Sequence, residues 1–305
     1  MAISVVDPIS PALNRTKWIL FQPFDLEKWL KLGFCAFLAS LGDGGGTGGG
    51  GGGGGGGNGP GGNGGGPGFE PVWQWVRDHF TMILSIGAVV LVVGILLALL
   101  ITWLSSRGKF MFIDGVVRNR GAVVQPWREF QAEGNSLFAF RFLFGLGCFV
   151  VFVMIAAISG GIAWPDIQAG KFGGPTWTAI AVGVLLVIPL AILAGLVKFC
   201  LTQFVVPIMY LRRTSAIDAW HVFRYELLPG RVGTLFLYLL AMIVMGFLIG
   251  MIAVLAICAT CCVAIIPYIG TVILLPLPVF VRSYSLYFLQ QFGPEWRFFG
   301  EGTVT

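Results

Sequence analysis

Few residues of this chain have the types and spacing that catalysis requires. An active site needs a nucleophile and proton carriers that converge in one pocket, and the chain has only two histidines, His79 and His221. The distribution of charge predicts that they lie on opposite sides of a membrane. All 14 carboxylates lie outside the long apolar segments, whereas intramembrane carboxylates are typical of proton relays and ion-coupled carriers. We predict no catalytic residue and no cofactor.

The motif Cys258-Ala-Thr-Cys261-Cys262 is the nearest approach to a metal site. A structural metal usually needs four ligands, and neither a second CxxC nor a nearby histidine accompanies this motif. It falls at a predicted tight turn between two apolar segments, where small side chains ease helix packing. Packing is the favoured interpretation and a disulfide is the alternative, so no metal site is predicted.

Three basic residues, Arg141, Lys198 and Arg282, lie closest to hydrocarbon. Such side chains could hold a lipid phosphate or an anionic substrate. They could also extend along a helix end to reach the headgroups, as long basic side chains do. Arg141 is the strongest candidate for the first role because it lies within an apolar segment. All three are candidate lipid-interface residues.

Long apolar segments dominate the chain, which is 56% hydrophobic and 11% charged, against roughly 25% charged in soluble domains. Runs of about 18 or more residues that are apolar all round indicate transmembrane helices. The qualifying segments are 80–104, 137–164, 177–201, 232–259 and 263–281. A shorter one, 29–41, reaches only roughly 20 Å, so it either tilts or only dips into the membrane. We predict an all-α integral membrane protein with about six transmembrane helices, the first one short.

An internal repeat organises these segments. The stretches 15–24 and 118–127 both read basic-x-basic, four spacer residues, then Gln-Pro-aromatic. In a looser third copy Arg213, Trp220 and Phe223 match Arg120, Trp127 and Phe130 position for position. We predict that each unit is an amphipathic helix followed by a helical hairpin. The predicted boundaries within a single membrane domain of residues 1–305 are repeat one 14–104, repeat two 110–204, repeat three 212–290 and a cytoplasmic tail 291–305.

The three amphipathic helices have recognisable boundary signals. Pro23 is predicted to begin the first helix, and Pro126 suits the first turn of the second helix, which Gly134 can end. Ser215 and Asp218 have the spacing of an N-cap for the third helix. These helices are expected to lie in the headgroup region of the membrane.

Two tryptophans are expected to anchor the amphipathic helices at the interface. Trp127 and Trp220 are amphipathic rings, which favour a position that is apolar at one end and wet at the other. The paired Arg120 and Arg213 are expected to turn toward the headgroups. These four residues complete the set of candidate lipid-interface residues.

A glycine-rich tract, 42–68, separates the first two apolar segments. It contains 21 glycines in 27 residues and no basic side chain. Such a segment cannot bury apolar surface, and it lacks the strict Gly-X-Y period of collagen, so we predict a disordered loop.

The distribution of basic residues predicts the orientation of the chain. Of 19 Lys and Arg residues, 15 lie on the side that holds the N-terminus, 105–136, 202–231 and the C-terminal tail, and two lie on the opposite side. Cytoplasmic loops are enriched in Lys and Arg, so both termini are predicted to be cytoplasmic. A five-span alternative, with 29–41 only interfacial, would put four of these charges outside.

The chain resembles a group of uncharacterised bacterial multi-pass membrane proteins. Phe21-Gln-Pro-Phe24, the segment 29–40, Arg107-Gly-Lys-Phe110 and Gln125-Pro-Trp127-Arg-Glu-Phe130 carry that resemblance, which implies no activity. More distantly, the alternation of interfacial helices and hairpins is similar to the membrane domain of some bacterial glycerophosphodiester phosphodiesterases. No soluble segment is long enough for their catalytic barrel, so no functional residues transfer.

The leading functional hypothesis is a non-enzymatic protein of the bacterial cytoplasmic membrane, acting as a scaffold, partner subunit or lipid-organising element. Its expected partners are membrane lipids and another membrane protein. Nucleic acid is not expected, because the net charge of +5 is spread over several loops. The alternative is a transporter or channel for a small solute, which prolines within the apolar segments keep open. An enzyme acting on lipid is the third possibility.

Overall fold

The computed structural model describes residues 3–42, 80–169, 173–260 and 266–299. These residues form helices joined by turns, with no strand among them, and the predicted all-α class is confirmed. In chain order the helices are α1 Ile9–Phe21, α2 Leu26–Ser40, α3 Phe80–Arg118, α4 Val124–Glu129, α5 Gln131–Ala169, α6 Gly174–Cys200, α7 Val206–Arg212, α8 Ala216–Val222, α9 Val232–Ala259, α10 Pro267–Ile273 and α11 Pro276–Gln290. Two π-helical segments, Leu201–Val205 and Phe223–Leu227, continue α6 and α8. The glycine tract after Gly42 lies outside the described residues, as do Cys261 and Cys262.

Four helical stretches in the described part of the chain are long and apolar enough to cross a membrane. They are Leu84–Arg118, Gln131–Asp166, Gly174–Arg212 and Val232–Ala259, and between 0% and 6% of their most apolar windows is buried. The predicted count of about six is not confirmed. Helix α2 has 15 residues, too few to cross a hydrocarbon core about 30 Å thick without help from flanking residues.

The last predicted span, 263–281, is not one helix in its described part. A turn at Leu274 and Leu275 separates α10 from α11, which begins at Pro276. Proline lacks the backbone N–H that would continue a helix, so it favours a new first turn at this position. The predicted span 263–281 is therefore divided into two helices in its described part.

Helix α3 is longer than the predicted span 80–104. Its 39 residues extend about 58 Å, and the added residues 105–118 pack against α2. The two helices run antiparallel, because Lys28 lies beside Gly121, Leu32 beside Gly115, and Gly42 beside Ser105. Helix α2 therefore lies along the C-terminal extension of α3 rather than along its charge-free span.

The largest buried core lies at this end of the molecule. It combines α1, α2, residues 105–118 of α3, α4, the start of α5, residues 201–212, α8 and α11, which we call the basal module. Phe110, Phe204, Tyr284 and Phe288 are among its fully buried side chains. The Tyr284 hydroxyl donates to the Val5 carbonyl at 2.9 Å, which ties the N-terminal segment to α11.

Two of the predicted helix boundaries are wrong and one is confirmed. Pro23 precedes α2, whose N-cap is Asp25. Gly134 does not end α4 but lies in the first turn of α5, where an added Cβ would come within 2.8 Å of Arg107. The Ser215 cap is confirmed, since its Oγ accepts from the Asp218 amide at 3.3 Å. Close packing against Arg107 explains why glycine stands at position 134. Such packing cannot be recognised from the turn residues in the sequence.

The same local order occurs in the second and third copies of the sequence repeat. A long helix ends at Arg118 or Arg212, a short helix follows at α4 or α8, and another long helix then begins. Near each junction one residue adopts a left-handed conformation, Asn119 with φ 51° and Arg213 with φ 54°. Such residues commonly end helices.

Candidate functional site

Two of the predicted interface residues, Lys198 and Arg282, lie next to Thr202, and a third, Arg141, binds the helix that carries Lys109. Lys109 Nζ donates to Thr202 Oγ1 at 3.1 Å, and Arg282 donates to the Thr202 carbonyl at 3.0 Å. Lys198 lies one helical turn before Thr202. We call Lys109, Arg141, Lys198, Thr202 and Arg282 the Thr202 cluster.

Arg141 joins the Thr202 cluster through α3. Its guanidinium donates to Ser105 Oγ and Ser106 Oγ, both at 3.3 Å, and to the Gly42 carbonyl at 3.1 Å. Ser105 lies one turn before Lys109 on the same helix. Both serine hydroxyls donate to carbonyls, Ser105 to Ala39 and Ser106 to Thr102, so the basic side chains are the groups that can bind an anion.

The π-helical segment Leu201–Val205 makes backbone acceptors available to this cluster. In an α-helix the N–H of residue 207 would donate to the Gln203 carbonyl, and in a π-helix it would donate to the Thr202 carbonyl. Residue 207 is proline and has no N–H, so neither bond forms. Arg282 and Ser285 of α11 take these positions, and Ser285 Oγ donates to the Gln203 carbonyl at 3.0 Å. Pro207 was a sequence signal for this site, but its partner helix could not be read from the sequence.

Two other predicted interface residues, Arg120 and Arg213, belong to a separate charge network in the basal module. Its centre is Asp114, which is fully buried. One of its oxygens lies 2.9 Å from Nε and 2.8 Å from a terminal nitrogen of Arg120. The other lies 3.2 Å from Arg118 Nε and accepts from the Tyr210 hydroxyl at 3.2 Å. Arg120 is therefore directed inward to a carboxylate, contrary to the expected orientation toward headgroups.

Arg213 is also directed to carboxylates. It donates to the carboxylate and the carbonyl of Glu129, lies 3.5 Å from Glu133, and covers the Phe130 ring at 3.8 Å. Arg118 donates to the same Glu129 carboxylate at 3.0 Å. Burial acts to raise the pKa of Glu129, but the bonds from Arg118 and Arg213 outweigh it and leave that pKa below its usual value.

The two anchor tryptophans contact the ends of the apolar helices. Trp127 packs edge-on against Trp103 of α3 at 5.6 Å, with the Arg107 guanidinium over both rings. Trp220 stacks on Phe140 of α5 at 6.0 Å. These contacts agree with the expected position of both rings at the ends of apolar segments.

The sequence analysis did not identify Arg15 as a buried residue. Its side chain is 1% exposed, lies between the rings of Trp18 and Phe299, and donates to the Val116 and Val117 carbonyls at 3.2 and 2.7 Å. The bonds satisfy the C-terminal end of α3, where helix carbonyls lack partners. The position of Arg15 in a repeated basic motif was the only signal available.

The described residues contain no group of three or more metal-ligand side chains. His221 is exposed and stacks on Tyr225 at 5.9 Å. Cys258 is a free, exposed thiol. His79 lies outside the described residues.

Comparison with known proteins gives one match. No curated protein and no solved structure matches the chain. A family model described as a family of unknown function, DUF7544, matches residues 3–275. Since the match covers most of its length, the chain belongs to this family of unknown function.

Proposed function

We propose that this chain is a non-enzymatic membrane scaffold or partner subunit that also organises lipid, in the cytoplasmic membrane of a bacterium. One observation carries the proposal: the four apolar helices are almost unburied, with 0% to 6% of their most apolar windows inside the protein. Leu185 and Phe247, for example, are each 70% exposed. Apolar surface of this extent is expected to contact acyl chains or the helices of a partner.

The position of the core supports the same proposal. Tertiary burial is concentrated in the basal module, while the apolar helices extend from it. A transporter of the usual kind instead places its substrate site between broken helices that pack on one another near the bilayer midplane. A folded module whose apolar helices are exposed along their sides suits a subunit that binds a partner within the membrane.

Photo-crosslinking in cells tests the proposal. A photoreactive amino acid at Leu185 or Phe247 is expected to give an adduct with one defined membrane protein, identified after purification in mild detergent. The matched control is the same amino acid at Val124, which is 67% exposed on the basal module. Adducts with lipid alone at both apolar positions would contradict the partner-subunit role.

The orientation is part of the proposal. Arg15 binds residues 116 and 117, Lys28 binds Asn119, and Arg213 binds Glu129, so basic segments from the N-terminus and two loops pack in one module. The enrichment of positive charge favours a cytoplasmic location for that module. In a cysteine-free background, Arg128→Cys should be protected from an impermeant maleimide in intact cells and Gly174→Cys should be labelled. The reverse pattern would overturn the orientation.

A transporter or channel is the second candidate, favoured by one observation. The π-helical segment before Pro207 contacts α11, the helix that follows the break at Leu274 and Leu275, and Arg282 and Ser285 of α11 donate to its carbonyls. Non-helical backbone in a membrane is typical of transport sites. Purified protein in sealed vesicles should then carry a small anion, and Arg282→Gln should abolish the flux. Vesicles that stay impermeable would remove this candidate.

A further inference from the structure

We propose that the Thr202 cluster binds the phosphate of an anionic phospholipid. The inference rests on the proposed function, because both require the apolar helices to lie in a bilayer, and it specifies the lipid chemistry. Lys109 of α3 and Arg282 of α11 both bind Thr202, although more than half the chain separates them in sequence. Lys198 lies one helical turn before Thr202, and Arg141 binds Ser105, which lies one turn before Lys109.

The cluster lies where the apolar segments end. Ser105 follows directly after the charge-free segment 80–104, and Lys198 lies within the last turn of α6. At this depth hydrocarbon gives way to the phosphate layer of the bilayer. Basic pockets between transmembrane helices at this level are suited to anionic headgroups.

The cluster has an accessible front and a buried back. Lys198 is exposed and Arg141 is half-buried, so an anion can reach both from outside. Lys109 and Arg282 are only 2% and 8% exposed, and Thr202 holds both. Hydrogen bonds that fix these side chains reduce the entropy lost when an anion binds.

Neighbouring apolar side chains favour a lipid over a soluble anion. The helices that carry Arg141 and Lys198 expose apolar side chains within two residues of each: Phe142 and Leu143 are 45% and 69% exposed, and Leu196 is 42% exposed. These side chains lie on other faces of the helices than the basic residues, so acyl chains can surround the helices that form the cluster. A free phosphate would gain nothing from this apolar surface.

The test compares lipid binding by variants of the full chain, purified in detergent. Native mass spectrometry counts the phosphatidylglycerol molecules retained, and melting temperature is measured with added phosphatidylglycerol or phosphatidylcholine. Phosphatidylglycerol should raise the melting temperature more than phosphatidylcholine does. Arg141→Gln and Lys198→Gln should each weaken the binding of phosphatidylglycerol about fivefold and reduce the rise in melting temperature that it causes. Arg128→Gln, which removes an exposed charge from α4, should leave it unchanged.

Three outcomes would overturn the proposal. They are an equal response to both lipids, an equal loss in Arg128→Gln, and an equal rise with inorganic phosphate alone, which would indicate a soluble-anion site. Exposed Lys198 is expected to tolerate substitution, so the Lys198→Gln arm stays informative if Arg141→Gln fails to fold. A chain that crosslinks to a partner protein but does not distinguish the lipids would keep the proposed function and lose this site.

Discussion

Two guanidinium nitrogens of Arg120 lie 2.9 and 2.8 Å from the same carboxylate oxygen of Asp114, and Asp114 has no solvent exposure. The pair joins the loop after α3 to the body of that helix. A buried carboxylate is stable as an anion only when charged and hydrogen-bonded groups surround it. Arg118 and Tyr210 complete this shell. The network is one of the buried polar groups of residues in the basal module.

Asp114→Asn should destabilise the protein by about 2 kcal/mol or more, because two guanidinium groups lose their carboxylate. Thermal unfolding in detergent measures the effect. Glu226→Gln is the matched control, since it breaks the Arg212–Glu226 pair at the surface and should cost at most about 1 kcal/mol. Equal losses in the two variants would show that Asp114 has no special role.

Arg120→Lys and Arg213→Lys should each lower the melting temperature. A side chain that only turned toward the headgroups would tolerate lysine, but both guanidinium groups make forked contacts that a single ammonium cannot reproduce. Arg224→Lys, at an exposed position, should stay within about 0.5 kcal/mol of the parent protein. An unchanged melting temperature in Arg120→Lys would show instead that Arg120 acts as a simple interfacial charge.

Gly108→Ala should separate α2 from α3. An added Cβ at Gly108 would lie 2.7 Å from the backbone of Leu38 and Ala39, so we expect a loss of about 1–3 kcal/mol. Gly94→Ala in the same helix meets nothing within 4 Å and should be neutral or stabilising. Circular dichroism during heating distinguishes them, and equal stability of the two variants would contradict this packing.

Trp127→Asp should destabilise the basal module by about 2 kcal/mol or more. The change removes the ring contacts with Trp103 and Arg107 and places a charge beside apolar helix ends. Trp127→Phe keeps a ring at this position and should retain most of the stability. A harmless Trp127→Asp would remove the anchor role.

Stability should fall in acid through Glu129. Its pKa lies below the usual value of about 4.5 in the folded protein, so its stabilising contribution is present above that pH and is lost as the pH falls through the folded-state value. Glu129→Gln should lower stability at pH 7 and reduce the difference in stability between pH 6 and pH 3. An unchanged pH profile in Glu129→Gln would contradict this assignment.

The sequence alone determined the all-α class, four of the long apolar helices and the Ser215 cap. Each depends on residues close together in the chain: an apolar run long enough for a bilayer, or a hydroxyl three residues before an amide. The repeat likewise predicted the short helices α4 and α8. Local signals suffice where the hydrogen bonds are local.

Only the tertiary structure decided the rest. It placed α2 along the extension of α3 and turned Arg120 inward to Asp114. It also brought Lys109 and Arg282 to Thr202. A basic side chain near a helix end can reach a headgroup, a carboxylate or a carbonyl at similar local cost. The helix packed beside it decides which partner it meets, and a single sequence does not record that packing.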